Sequence, residues 1–312
     1  MRGSPVGFTG RPLQQQRSGR AARRGSGRGG EEHLMARLYA VSDLHVAHPK
    51  NRAIVEGMFP VDEEDWLLLA GDVGELAADV EWVLRLLADR FSTVVWVPGN
   101  HELWTHPSDP VRLRGDYRYR YLVDLCRSLG IRTPEDPYPV WTGPGGPVTI
   151  APLFLLYDYS FLPPGVADAG AALALAETAG VVCSDEFLLH PDPYPTRAAW
   201  CRERVAATEA RLAACDPALP TLLVNHFPLI RKPTEVLRHQ EFALWCGTTA
   251  SADWPVRYRA SAVVYGHLHI PRTIHADGVR HQEVSLGYPR EWQHWGKPDP
   301  LLREVFPAGE RP

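Results

Sequence analysis

No apolar stretch of this 312-residue sequence reaches the roughly 20 residues that a membrane-spanning helix needs. The amino terminus has no apolar core either, which excludes a secretory signal peptide. Cysteine is scarce and odd in number, and Cys126, Cys183, Cys201, Cys215 and Cys246 show no CxxC spacing. That pattern speaks against a disulfide framework or a thiolate zinc site, and for reduced thiols in the cytoplasm. No internal repeat is visible. Strong charge of one sign is missing too, the formal net charge being −4. The first 34 residues carry seven Arg and two Glu, a net +5, which leaves −9 for residues 35–312. An acidic body argues against nonspecific DNA binding by the domain itself.

Length permits one large α/β domain with a substantial core. We expect it over residues 35–296. Residues 1–34 are rich in Arg and Gly, lack hydrophobic periodicity and are expected to be disordered. The simplest account is that translation begins at Met35. A loose, Pro-rich tail is expected over 297–312. Ala198–Ala214 has helical composition, and the Ala-rich stretch Ala171–Ala179 reads as a helix or a mobile insertion.

Five short motifs stand out against this background. They are Asp43-Leu44-His45, Gly71-Asp72, Gly99-Asn100-His101-Glu102, Asn225-His226 and Gly266-His267-Leu268-His269. An apolar run precedes each one: 37–41, 66–70, 93–97, 221–224 and 262–265. Such runs read as buried parallel strands, and open α/β sheets place their ligands at the carboxyl ends of strands. If the extended chain continues through the first motif, Asp43 and His45 face the same side, because residues i and i+2 do. The pooled carboxylate, amide and imidazole groups suffice to hold two metal ions side by side. A lone Gly-Asp is usually a turn, and a lone His after a strand is usually an ordinary polar residue. Five such turns in order are a different matter. His48, His106, His190, His275, His281 and His294 fit no ligand slot.

In this order the motifs resemble the calcineurin-like metallophosphoesterase superfamily, whose blocks are D-x-H, G-D, G-N-H-[ED], a later H and G-H-x-H. The likeness runs from residue 37 to about 290. It implies an α/β fold, a four-layer α/β/β/α sandwich with metals above the central sheets. It further implies Asp43, His45 and His269 on a first ion, Asn100, His226 and His267 on a second, and Asp72 between them. His101 would sit over the phosphate as an acid, and Glu102 would orient His101. Two ions would clamp the phosphoryl oxygens and activate a shared water for in-line attack. Manganese or iron suits such ligands, with zinc also possible. Glu75, rather than Tyr, stands three residues after Asp72, and Val73 rather than Arg follows it. Those departures set the chain apart from purple acid phosphatases and from the protein Ser/Thr phosphatases.

Longer segments, among them 97–104, 153–161, 245–249, 265–273 and 284–292, resemble the actinobacterial phosphopantetheinyl hydrolases. These remove 4′-phosphopantetheine from holo acyl carrier proteins, so the resemblance implies an acyl carrier protein as partner and substrate. The alternatives are a phosphoesterase for a nucleotide or another small phosphate ester, and a non-catalytic interaction scaffold. A scaffold has no use for His101. An acidic carrier would be steered by a basic face, and Arg112, Arg114, Arg118, Arg120, Arg127 and Arg132 offer one. An amphipathic helix with a solvated charged face accounts for them equally well. The run from Leu153 to Phe161 reads as a core strand or as the lining of a pantetheine channel.

Overall fold

Runs of four aliphatic, β-branched and aromatic residues form the first three strands, as largely buried strands require. In this computed structural model, which describes residues 35–307, they are β1 (Leu38–Val41), β2 (Trp66–Leu69) and β3 (Thr93–Trp96), all parallel. A second sheet contains β4 (Val140–Trp141), β5 (Val148–Pro152), β6 (Thr221–Val224), β7 (Ala260–Tyr265), β8 (Thr273–Ala276) and β9 (Val279–Glu283). Its order is β4-β5-β6-β7-β9-β8, with parallel central strands and antiparallel edges. The chain then returns to the first sheet as β10 (Arg303–Phe306), antiparallel to β1. The expectations for residues 1–34 and for 308–312 lie outside the described residues.

Alternation along the strands sorts the side chains into layers. Leu38, Ala40, Leu68, Ala70, Val95 and Val97 face Val148, Ile150, Leu222, Val224, Ala262 and Val264 across the gap between the sheets. Each Val, Leu or Ile among them contributes about 1.5–3 kcal/mol by leaving water. The intervening Val41, Leu69 and Trp96 face outward against α1 (Pro49–Glu56), α2 (Ala77–Ala88) and, after the short α3 (Asn100–Leu103), α4 (Gly115–Ser128). Between β5 and β6 lie α5 (Ala169–Thr178), α6 (Asp185–Leu188) and α7 (Arg197–Ala213). The outer face of the second sheet, Ala151, Leu223 and Val263, packs on Leu212 of α7 and Trp254 of α8 (Trp254–Arg257). α9 (Pro289–Trp295) follows β9. The result is the four-layer α/β/β/α sandwich.

Three expectations need correcting. The segment from 297 is not loose throughout, because Arg303–Phe306 pairs with β1 and buries Val305 and Phe306. Leu153–Phe161 is largely buried yet irregular, since β5 ends at Pro152 and the chain leaves the sheet there. Four of the six arginines around α4 are paired with carboxylates and do not make a free basic face. Arg118 is fully buried on Asp109 at 2.9 Å, and Arg114, Arg120 and Arg127 pair with Asp192, Asp116 and Asp136.

Candidate metal centre

The two sheets are tied together where the motifs emerge. Ser42, just past β1, donates its N–H to Val284 O at 3.1 Å, and Leu286 N–H returns to Ser42 O at 2.9 Å. Strand geometry stops there. Asp43 and His45 have φ of 54° and 41°, so they share a side through left-handed backbone and not through an extended chain, which corrects the expectation. Asp72, His267 and His269 are left-handed as well, at 54°, 70° and 54°. Such backbone in non-glycine residues costs about 1–3 kcal/mol each and persists only where the surroundings fix it. The neighbouring glycines make room: a Cβ on Gly99 would overlap the Asp72 carboxylate, and one on Gly266 would overlap Asp43.

All seven expected ligands converge. Asp43, His45 and His269 form one group whose ligand atoms lie within 4.8 Å of one another, and Asp72, His226 and His267 form another. Asp72 stands between them. Its Oδ2 is 3.3 Å from His226 Nε2, 3.7 Å from His101 Nε2 and 4.0 Å from His45 Nε2. Asn100 Oδ1 is 3.2 Å from His226 Nε2. The histidines set aside earlier, His48, His106, His190, His275, His281 and His294, belong to none of these groups.

Do these residues fit metal ions? His45 Nε2 and His269 Nε2 face each other at 3.2 Å, and His269 Nε2 is 3.0 Å from Asp43 Oδ1. Buried His45 Nδ1 and His267 Nε2 have no hydrogen-bond partner. The outer nitrogens of two rings are committed elsewhere: His269 Nδ1 to Glu291 at 2.7 Å, and His226 Nδ1 to Ala70 O at 2.8 Å. Each then directs Nε2 inward, as metal-holding histidines do. The charges agree. Burial opposes a charge on His226, but Asp72 outweighs it and pushes the pKa up to about 10. Burial, with His226 next, drives His267 down to about 3. A proton on His226 offsets the Asp72 carboxylate, a role that a bound cation would take over by displacing it. The donor set fits divalent ions.

His101 and Glu102 differ in what they do. Burial works against a charged His101, but Asp72 and then Glu75 outweigh it, and the pKa is raised. The ring is held by Glu75, whose Oε1 is 3.2 Å from Nδ1, and by Trp104, packed against it at 3.6 Å between centroids. Glu102 does not touch the ring, contrary to expectation. Its carboxylate instead accepts the backbone N–H groups of Gly99 and Asp72, each at 2.9 Å, and of Val73 at 3.0 Å. It thereby fixes the loop that carries Asp72. Burial, with Asp72 next, pushes Glu102 up to about 7.

Several participants escaped the sequence reading. Glu75 was visible only as the residue three places after Asp72. Glu291 and Tyr288 lie in a segment noted for resemblance, and Tyr288 stacks on His45 at 4.4 Å. Ser42 and Ser285 donate hydroxyl bonds to Asp43 Oδ2 at 2.5 Å and 2.7 Å. Asp185 gave no signal. The centre opens into a cleft of about 310 Å³ that reaches Tyr288 and Arg290, and both also line a neighbouring depression of about 470 Å³.

The sequence profile described as calcineurin-like phosphoesterase matches residues 36–271. The acyl-carrier-protein phosphodiesterase PptH of Mycobacterium tuberculosis is 57% identical over 270 residues, which is 86% of this chain and 83% of that protein. The crystal structure of phosphopantetheinyl hydrolase (PptH) from Mycobacterium tuberculosis superposes with a TM-score of 0.88 at 55% identity. That match covers 90% of this chain and 99% of the other.

Proposed function

The chain belongs to the calcineurin-like phosphoesterase family, and from that premise we propose that it hydrolyses the phosphodiester joining 4′-phosphopantetheine to the serine of holo acyl carrier protein. The observation that carries the substrate is the likeness to PptH in sequence and fold together. The cleft meets a second depression at Tyr288 and Arg290, which gives a two-armed diester room beyond the centre.

Asp43, His45 and His269 would hold one ion, and Asn100, His226 and His267 the other, with Asp72 shared. Mixed imidazole and carboxylate donors suit manganese, iron or zinc. When bound, such ions supply Lewis acidity at the phosphoryl oxygens and lower the pKa of water. The remaining steps belong to side chains of this chain. His101, with Nδ1 against Glu75, keeps a proton on Nε2 and turns it toward the cleft. Water oxygen bonds to phosphorus and gives up one proton to solvent, the bond from phosphorus to serine Oγ breaks, the Nε2 proton goes to that oxygen, and His101 regains a proton from solvent. The products are apo carrier protein and 4′-phosphopantetheine. Glu102 holds the Asp72 loop still while charge moves. No helix among the described residues is long and apolar enough to cross a membrane, and the five free thiols fit a cytoplasmic setting.

Intact-mass spectrometry of holo acyl carrier protein, incubated with manganese- or iron-loaded enzyme, tests the substrate. Conversion to apo protein supports it. An unchanged mass beside turnover of an aryl phosphodiester would move the substrate to a small phosphate ester.

A further inference from the structure

α6 is one helical turn in the long segment between β5 and β6, yet it delivers a carboxylate to the centre. Asp185 is fully buried, and one oxygen, Oδ1, accepts two side-chain N–H groups. One comes from Asn100 Nδ2 at 2.9 Å, the other from Trp104 Nε1 at 2.6 Å. Both donors matter to the site. Asn100 can turn either its oxygen or its NH₂ toward His226, and the two differ in everything a cation senses. An acceptor behind the amide draws the NH₂ backward and leaves Oδ1 facing the ligand cluster. Trp104 is the ring packed against His101. The turn is itself anchored: Arg197 donates to Asp185 O at 2.7 Å and pairs with Glu186 at 2.8 Å. Glu186 also accepts from Tyr159 and Trp245.

We propose that Asp185 is a positioning residue for one side of the centre, setting the amide of Asn100 for its ion and the indole of Trp104 against His101. The proposal rests on reading Asn100 as a metal-holding residue. It makes the segment between β5 and β6 part of the catalytic unit, and not merely a wall of the cleft.

Equilibrium dialysis against Mn(II), followed by metal analysis, tests it on the whole chain. Wild-type protein should bind two equivalents. Asp185→Ala should keep the ion at Asp43, His45 and His269 and bind the other about 10- to 100-fold more weakly, the usual effect of losing an outer partner. Asp185→Asn, which still offers a carbonyl oxygen to both donors, should restore the second equivalent. Should the Ala variant not fold, Asp185→Leu fills the space without an acceptor and should show the same selective loss. Two tight equivalents in the Ala or Leu variant, or parallel loss of both ions, would overturn the proposal. Wild-type protein that binds no Mn(II) would overturn the metal reading of Asn100, and the proposal with it.

Discussion

Removing the Glu102 carboxylate separates two accounts of that residue. Three buried backbone N–H groups, those of Asp72, Val73 and Gly99, end on its two oxygens. An orphaned buried donor costs about 1–3 kcal/mol. Glu102→Ala should therefore destabilise the fold by at least about 3 kcal/mol, a large share of the roughly 5–15 kcal/mol typical of a domain. Glu102→Gln keeps one oxygen for the Gly99 and Asp72 donors, but turns an NH₂ toward Val73. It should lose only about 1–3 kcal/mol. Urea denaturation, comparing midpoints at constant slope, measures both. If Glu102 instead served to orient His101, both variants would unfold like wild type and differ only in turnover and its pH profile. An Ala variant within about 1 kcal/mol of wild type would refute the hydrogen-bond reasoning.

The other expectations concern neighbouring groups. His101→Ala should retain both ions by metal analysis and lose about 10²–10⁴ in turnover; retained turnover on every ester tried would contradict its role as acid. Asp72→Ala should lose metal together with activity, and normal metal content would contradict its place between the ions. Glu75→Gln should lower the pH at which activity falls on the alkaline side, because Glu75 helps raise the His101 pKa; an unmoved profile would remove it from that role. Asp109, on buried Arg118, has a pKa lowered by hydrogen bonds from Ala77, Val111 and Arg118 that outweigh its burial. Its stabilisation is therefore complete above the unfolded value of about 3.9 and is lost as pH falls through the lower folded value. Asp109→Asn should flatten that part of the acid-unfolding curve, and an unchanged curve would place the acid sensitivity elsewhere.

Parallel strands buried on both faces announce themselves as apolar runs, so β1, β2, β3, β6 and β7 and the motifs behind them were legible within a residue or two. β9 was not, because Arg280, His281 and Gln282 break the apolar pattern of a strand that its parallel neighbour β7 holds in place. β10 escaped because a short strand between prolines at 300 and 307 looks like a tail until β1 is there to pair with it. At the site, the residues that converge on the centre carry their own sequence signal, whereas the residues that orient them do not. Asp185 is 85 positions from Asn100, and Glu291 is 22 from His269; nothing local marks either contact. Glu102 shows the opposite failure: its motif drew attention to it, but its partners proved to be backbone and not His101. The left-handed backbone at Asp43, His45, Asp72, His267 and His269 was also invisible, since those residue types favour no such conformation strongly enough to be read in advance.

Hydrolysis of holo acyl carrier protein by the metal-loaded enzyme in H₂¹⁸O tests the central claim most directly. Mass spectrometry of both products should find apo protein with unlabelled serine, and one ¹⁸O in the phosphate of the released 4′-phosphopantetheine. No conversion, or label in the serine in place of the phosphate, would contradict water attack on phosphorus with the serine oxygen as leaving group.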